Sequence, residues 1–131
     1  MSRLLIDTSA YSAFMRGNSA AIDAIREADE IYVSATVLGE MLAGFVSGSR
    51  RTKNEAELAR FFDSPRVNLV DVDEETARRY AVIFSTLRAA GTPIPTNDLW
   101  IAASAMQHGL RLLTADAHFE RVPQILIQQI S

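Results

Sequence analysis

Four carboxylates in this sequence stand without charged neighbours, and that isolation is where its chemistry first shows. Asp7 is the only charge between Arg3 and Arg16, and Glu40 is the only charge from Ile31 to Ser49. Asp98 stands alone between Arg88 and Arg111, and Asp116 between Arg111 and Glu120, with histidine counted as neutral. Other acids, such as Asp29–Glu30 and Asp71–Glu75, fall in charge-rich segments that read as solvated faces.

Three of the four also suit a local role. Asp7 follows a short apolar run and can cap the helix after it. Asp98 falls in a first helical turn, where the helix dipole favours an anion. Asp116 can close an Asx turn. Glu40 has no such explanation. It lies mid-helix, and its neighbours at three and four residues are Thr36, Val37, Ala43 and Gly44, so no cation is in local reach. Buried unpaired, it would cost several kcal/mol.

If the four converge, they repel one another, and a cation relieves the repulsion. A set of oxygen ligands, without cysteine and without a His-x-x-x-His pair, suits a hard ion such as Mg²⁺, or Mn²⁺, rather than Zn²⁺. Mg²⁺ held by carboxylates lowers the pKa of a bound water and neutralises charge on a phosphoryl centre. No competing nucleophile system is present. There is no G-x-S-x-G, and neither His108 nor His118 belongs to a triad pattern.

The elements that must position these acids alternate in type. Strands are expected at Arg3–Ile6, Glu30–Ser34, Arg66–Asp71, Arg111–Thr114 and Gln124–Gln128. A helix from Thr8 ends near Gly17, and one over 19–28 turns Ile22, Ile25 and Ala28 to one face. Ser34 caps the helix after the second strand, and Gly48 stops it. Arg50–Asp63 reads as an amphipathic helix with Leu58, Phe61 and Phe62 facing in. Asp73–Gly91 reads as a long helix with a stripe of Ala77, Tyr80, Ala81, Phe84 and Leu87. Pro93 and Pro95 break the chain, and Thr96 is expected to cap the helix that carries Asp98. Strands separated by helices imply right-handed crossovers and a mainly parallel five-stranded sheet covered on both faces. Ligands in such folds gather beyond the carboxyl ends of the strands. Asp7 and Asp116 belong there.

The 131 residues fit a single domain spanning 1–131, and 48% apolar with 22% charged residues is ordinary for a globular chain. The absence of cysteine excludes disulfides and thiolate metal sites. No apolar run approaches a membrane span, the opening MSRLLIDTSAY lacks a long apolar segment, and a cytoplasmic location is expected. A net charge of −3 argues against nucleic-acid binding by a broadly basic surface. Arg50, Arg51 and Lys53, after Gly48, form the best candidate basic loop for an RNA backbone.

The stretches LLIDTSAY, VLGEMLAG and PIPTNDLWIAASAMQHGLRLLTADAHFERVP, with the spacing between them, resemble the PIN domain family. They are most similar to the VapC-type ribonuclease toxins of bacterial toxin–antitoxin modules. The resemblance spans essentially the whole chain. It implies a three-layer α/β/α fold with a central five-stranded parallel sheet and a metal-dependent endoribonuclease. The family's acidic quartet falls on Asp7, Glu40, Asp98 and Asp116, which would be both catalytic and metal-binding. Asp7, Asp98 and Asp116 would chiefly hold Mg²⁺ (or Mn²⁺). Glu40 would ligate through water or act as general base, and cleavage would leave 5′-phosphate and 3′-hydroxyl ends.

The resemblance further implies that Thr114 orients the acids. Asn97 and Thr8 stand beside cluster acids, either to assist them by hydrogen bonding or as cap and turn formers. In many relatives a further acid precedes the phenylalanine of the last motif. Here that position is His118, which is expected beside the site or at the surface rather than as an extra metal ligand. A homodimer and a small VapB-type antitoxin are implied as partners. The antitoxin would lay a helix in an apolar groove, for which Tyr11, Phe14, Met15 and Ile22 are candidate walls; Phe14 and Met15 are equally well explained as core.

Rival readings make different demands. A phosphoacceptor signalling domain needs adjacent acids after the first strand and a lysine after the last, and the only lysine is Lys53. A flap nuclease acting on DNA belongs to a longer, more basic chain. A non-catalytic PIN-fold module working only through protein partners stays open at this point.

Overall fold

A computed structural model describes residues 1–131. Five strands alternate with six α-helices: β1 (Arg3–Ile6), α1 (Thr8–Met15), α2 (Ser19–Glu27), β2 (Glu30–Ser34), α3 (Ala35–Ser47), α4 (Arg51–Phe62), β3 (Val67–Val70), α5 (Glu74–Ala90), α6 (Thr96–His108), β4 (Arg111–Thr114) and β5 (Ile127–Gln129). All pairings are parallel, in the order β3-β2-β1-β4-β5. The helices cover the sheet, giving the expected α/β/α layers. The central strands are apolar on both sides because both faces are covered. Leu5, Ile6, Ile31, Val33, Leu112 and Leu113 are fully buried.

The direction of strand succession reverses between β1 and β4, which pair through Leu4–Arg111, Leu5–Leu112 and Ile6–Leu113. At such a switch point the connections leave β1 and β4 in opposite directions and open a crevice past their carboxyl ends. Asp7 directly follows β1, and Asp116 lies two residues beyond β4. No helix is long and apolar enough to cross a membrane.

Local signals hold where the chain itself supplies the partner. Ser34 Oγ accepts from Val37 N at 3.2 Å and caps α3, and Gly48 ends that helix. Gly91 and Gly109 end α5 and α6 in the left-handed region, at φ 70° and 62°, where a glycine has no side chain to clash.

The first helix ends near Gly17 as expected, at Met15 with Arg16 as its cap. Several other expectations are corrected. On α2, Ala21, Ala24 and Ile25 are the buried residues and Ile22 is only half-buried. Thr96 does not cap α6. It is the first helical residue, behind an N-cap held by Pro95 with no side-chain hydrogen bond. The last strand runs from Ile127 to Gln129, not from Gln124. Leu126 projects out at 69% exposure, and an edge strand with one neighbour leaves its register weakly specified by apolarity.

The α5 stripe is also turned. Thr76, Ile83 and Leu87 are buried with Tyr80 half-buried, whereas Ala77, Ala81 and Phe84 are exposed. The polar member of the true stripe, Thr76, hides the pattern. Its hydroxyl bonds Asp73 in a capping box and Gln107 across the α5–α6 contact. Arg51 and Lys53 lie within α4 and Arg50 is its N-cap, so the anticipated basic residues sit at a helix start rather than in a loop.

Candidate active site

Asp7 performs two tasks with one carboxylate. Its Oδ1 accepts from Ala10 N at 2.8 Å, capping α1, and from Ser9 Oγ at 2.7 Å. Its Oδ2 accepts from Thr114 Oγ1 at 2.6 Å. Only 4% of the residue is exposed. Burial raises the Asp7 pKa above its usual 3.8, helped by the negative charge of Asp116 and opposed by the donors Thr114, Ser9 and Ala10.

Thr114, at the end of β4, accepts from Asp116 N at 2.9 Å. Asp116 Oδ1 in turn accepts from His118 N at 2.9 Å, forming the expected Asx turn at the head of a short 3-10 turn, Ala117–Arg121. That turn is anchored by Phe119, which is fully buried. The same turn carries the His118 ring inward. Its Nδ1 lies 3.2 Å from Asp98 Oδ2 and 3.2 Å from Asp116 Oδ1.

Asp98 sits in the first turn of α6 with its side chain 13% exposed. Burial raises its pKa too. The His118 hydrogen bond and charge oppose the shift, while Asp116 and Glu40 add to it. Glu40, mid-way along α3, is half-buried rather than stranded among apolar groups. Thr8 Oγ1 donates to its Oε1 at 2.9 Å, and Asn97 Nδ2 donates to its Oε2 at 3.2 Å. The anticipated cost of an unpaired carboxylate is met by two neutral donors.

These contacts close into a ring. Thr8 adjoins Asp7 in the chain and Asn97 adjoins Asp98. One can therefore pass from Asp7 through Thr8, Glu40, Asn97, Asp98, His118, Asp116 and Thr114 back to Asp7 by hydrogen bonds and single peptide links. Four carboxylates share it, and every arginine or lysine ion pair within 4.0 Å lies elsewhere on the chain. Asp98 Oδ1 and Asp116 Oδ2 have no hydrogen-bond partner in the protein, so their lone pairs are open to a ligand. The ligand atoms of Asp98, Asp116 and His118 lie within 4.8 Å of one another. A buried carboxylate held above its usual pKa, mutual repulsion and no arginine or lysine counter-charge are what a divalent cation corrects.

Two participants had little signal in the sequence. Ser9 Oγ bonds Asp7 and also accepts from Ala115 N at 2.9 Å, tying α1 to the end of β4. Its only mark was its place two residues after Asp7. His118 had the corresponding mark, two residues after Asp116, but the direction of its ring was not legible.

Beside the ring, a cleft of about 400 Å³ opens between α1, α3 and α4, with Thr8 and Glu40 on its wall. Tyr11, Met15, Met41 and Phe45 make it apolar. Of the anticipated groove residues, Tyr11 and Met15 line it. Phe14 instead packs on Phe61, with ring centroids 5.8 Å apart, and Ile22 lies outside it. Arg51 pairs with Glu55 at 3.4 Å and Lys53 with Glu57 at 3.8 Å along α4, and Asn54 and Glu57 of that helix also line the cleft.

The sequence profile of the PIN domain matches residues 4–125. Ribonuclease VapC11 of Mycobacterium tuberculosis is 32% identical over 129 residues, covering 93% of this chain and 92% of the relative. Ribonuclease VapC4 of the same organism is 33% identical over 93 residues, 71% of this chain and 72% of the relative. Among solved structures, VapBC2 from Rickettsia felis, bound to a DNA fragment from its promoter, superposes with a TM-score of 0.87 at 21% identity, covering 98% of this chain and 99% of that one. DNA-bound VapBC from Salmonella typhimurium gives 0.86 at 24% identity, with 98% of each chain covered.

Proposed function

This chain belongs to the PIN domain family, in its VapC branch, and from that premise we propose that it is a divalent-metal-dependent endoribonuclease toxin held in check by a VapB-type antitoxin. The observation that carries the reading is the closed ring of Asp7, Glu40, Asp98 and Asp116 with no arginine or lysine paired to any of them.

Asp7, Asp98 and Asp116 would hold the ion, Mg²⁺ being the hard cation that carboxylate oxygens suit and Mn²⁺ the alternative. When bound, such an ion supplies a water of lowered pKa and a counter-charge for phosphoryl oxygens. Glu40 is the general base in this reading, since it lines the cleft beside the ring and its carboxylate meets only the neutral donors Thr8 and Asn97. Thr114, Thr8 and Asn97 hold the carboxylates in place. Arg50, Arg51 and Lys53 offer contacts to an RNA backbone; the Arg51 and Lys53 side chains are exposed, so their α4 ion pairs are weak and phosphate can displace them.

The apolar cleft beside Glu40 supports an antitoxin helix laid along Tyr11, Met15, Met41 and Phe45. The exposed apolar residues of α5, Val82 and Phe84, support a homodimer.

Cleavage of RNA by the purified chain should require a divalent ion, stop with chelator, and fall by roughly 100-fold or more in Asp7→Asn and Asp98→Asn. Equal cleavage by wild type and both variants would remove the catalytic reading and leave a module that acts only by binding.

A further inference from the structure

We propose that His118 is itself a ligand of the divalent site, donating an imidazole nitrogen that biases the site from Mg²⁺ toward first-row transition-metal cations, a bias that Mn²⁺ reports. The inference rests on the metal-dependent reading above and adds a ligand to it. Its basis is the position of one atom. Nδ1 of His118 lies 3.2 Å from Asp98 Oδ2 and 3.2 Å from Asp116 Oδ1, and the three groups can place their ligand atoms within 4.8 Å of one another. Adjacent ligands of an octahedral ion with bonds of ~2.1 Å stand about 3.0 Å apart, so these separations match neighbouring corners of one coordination shell.

The backbone holds the ring there. Asp116 receives the His118 N–H, and Phe119 pins the same turn in the core. The side chain is 44% exposed, and it is Nδ1 that meets the acids. Nδ1 is the ring nitrogen beside both carboxylates, and so the one a bound cation would take as a ligand. Carboxylate and water ligands suit Mg²⁺ and Mn²⁺ alike. An imidazole nitrogen adds little for Mg²⁺, whose demand is for oxygen, and more for ions further along the first row. An aspartate at position 118 would make the set all-oxygen.

The test uses the full chain freed of metal by chelation. Mn²⁺ binding is followed by the loss of the free-ion paramagnetic resonance signal, with Mg²⁺ as competitor, and nitrogen coupling to bound Mn²⁺ is read by electron spin echo modulation. Wild-type protein should show ¹⁴N coupling that converts to ¹⁵N coupling when only histidine is ¹⁵N-labelled. This measurement needs no variant. In His118→Asp the histidine coupling should vanish, and the preference for Mn²⁺ over Mg²⁺ should fall on the order of 10-fold. Mn²⁺ that binds in competition with Mg²⁺ but shows no histidine coupling overturns the assignment of His118 and leaves the metal-dependent reading intact. Coupling with an unchanged preference in His118→Asp overturns the selectivity. A wild-type chain that binds neither ion defeats the metal-dependent reading, and this inference with it.

Discussion

The hydroxyl of Thr114 donates to Asp7 Oδ2 at 2.6 Å across a sequence separation of 107 residues. It joins the carboxyl ends of β1 and β4 at the point where the sheet reverses its order. The same oxygen accepts from Asp116 N, so one hydroxyl orders two of the four acids. Thr114→Val should leave a buried carboxylate oxygen and a backbone N–H without partners. The expected loss is about 1–3 kcal/mol of stability, with divalent affinity down roughly 10–100-fold. Thr114→Ser keeps the hydroxyl and should retain most of both. Denaturant unfolding and calorimetric metal titration give the two quantities; a valine variant that binds metal like wild type would deny Thr114 any ordering role.

Glu40 depends on Thr8 and Asn97 in the same way, but at a more open place. Thr8→Val and Asn97→Ala should each lower the RNA cleavage rate on the order of 10-fold. Stability should change by no more than about 1 kcal/mol, because Thr8 is only partly buried and Asn97 is exposed. The combined variant should lose less than the product of the single effects, since both act through one carboxylate. Fully multiplicative losses would mean that the two side chains act elsewhere.

Asp7 and Asp98 bind their protons more tightly in the fold than in the unfolded chain, because burial raises both carboxyl pKa values. Between the ordinary value of 3.8 and the raised values the folded state therefore carries more protons. Stability of the metal-free protein accordingly falls as pH rises through that window. Asp73, whose pKa is lowered by its hydrogen bonds to Thr76 and Gln107, acts oppositely: its contribution is present above 3.8 and is lost as pH falls through the lowered value. Melting curves of the metal-free protein against pH should show Asp7→Asn gaining on wild type as pH rises above the ordinary carboxylate range. Saturating divalent ion should cancel that gain. Parallel curves at all pH values would show that Asp7 carries no burial penalty.

Phe119 is fully buried in the turn that carries Asp116 and His118. Phe119→Ala should cost about 3–5 kcal/mol. Under conditions where the variant is still folded, its divalent affinity should also drop, since the turn would lose its anchor. Lost stability with unaltered metal binding would show that the Asx turn alone holds the two ligands.

Much of this molecule is written in short windows of the sequence. The alternation of apolar strands and amphipathic helices, the Ser34 cap, the Gly48 stop and the caps made by Asp7 and Asp116 each depend on groups within three residues of one another. The isolation of the four acids was equally visible, because a carboxylate without charged neighbours has to find its partners outside its own segment. Those partners were decided by tertiary structure. Only the β3-β2-β1-β4-β5 order sets Asp7 beside Thr114, and only the packing of α3 near α6 lets Glu40 meet Asn97. The rotation of α5 about its axis, the register of the edge strand β5 and the inward turn of His118 were settled the same way. Helical and strand periodicity repeat every few residues and so are set by neighbours in the chain, whereas contacts between segments depend on which faces pack and in what order, and no single segment contains that information.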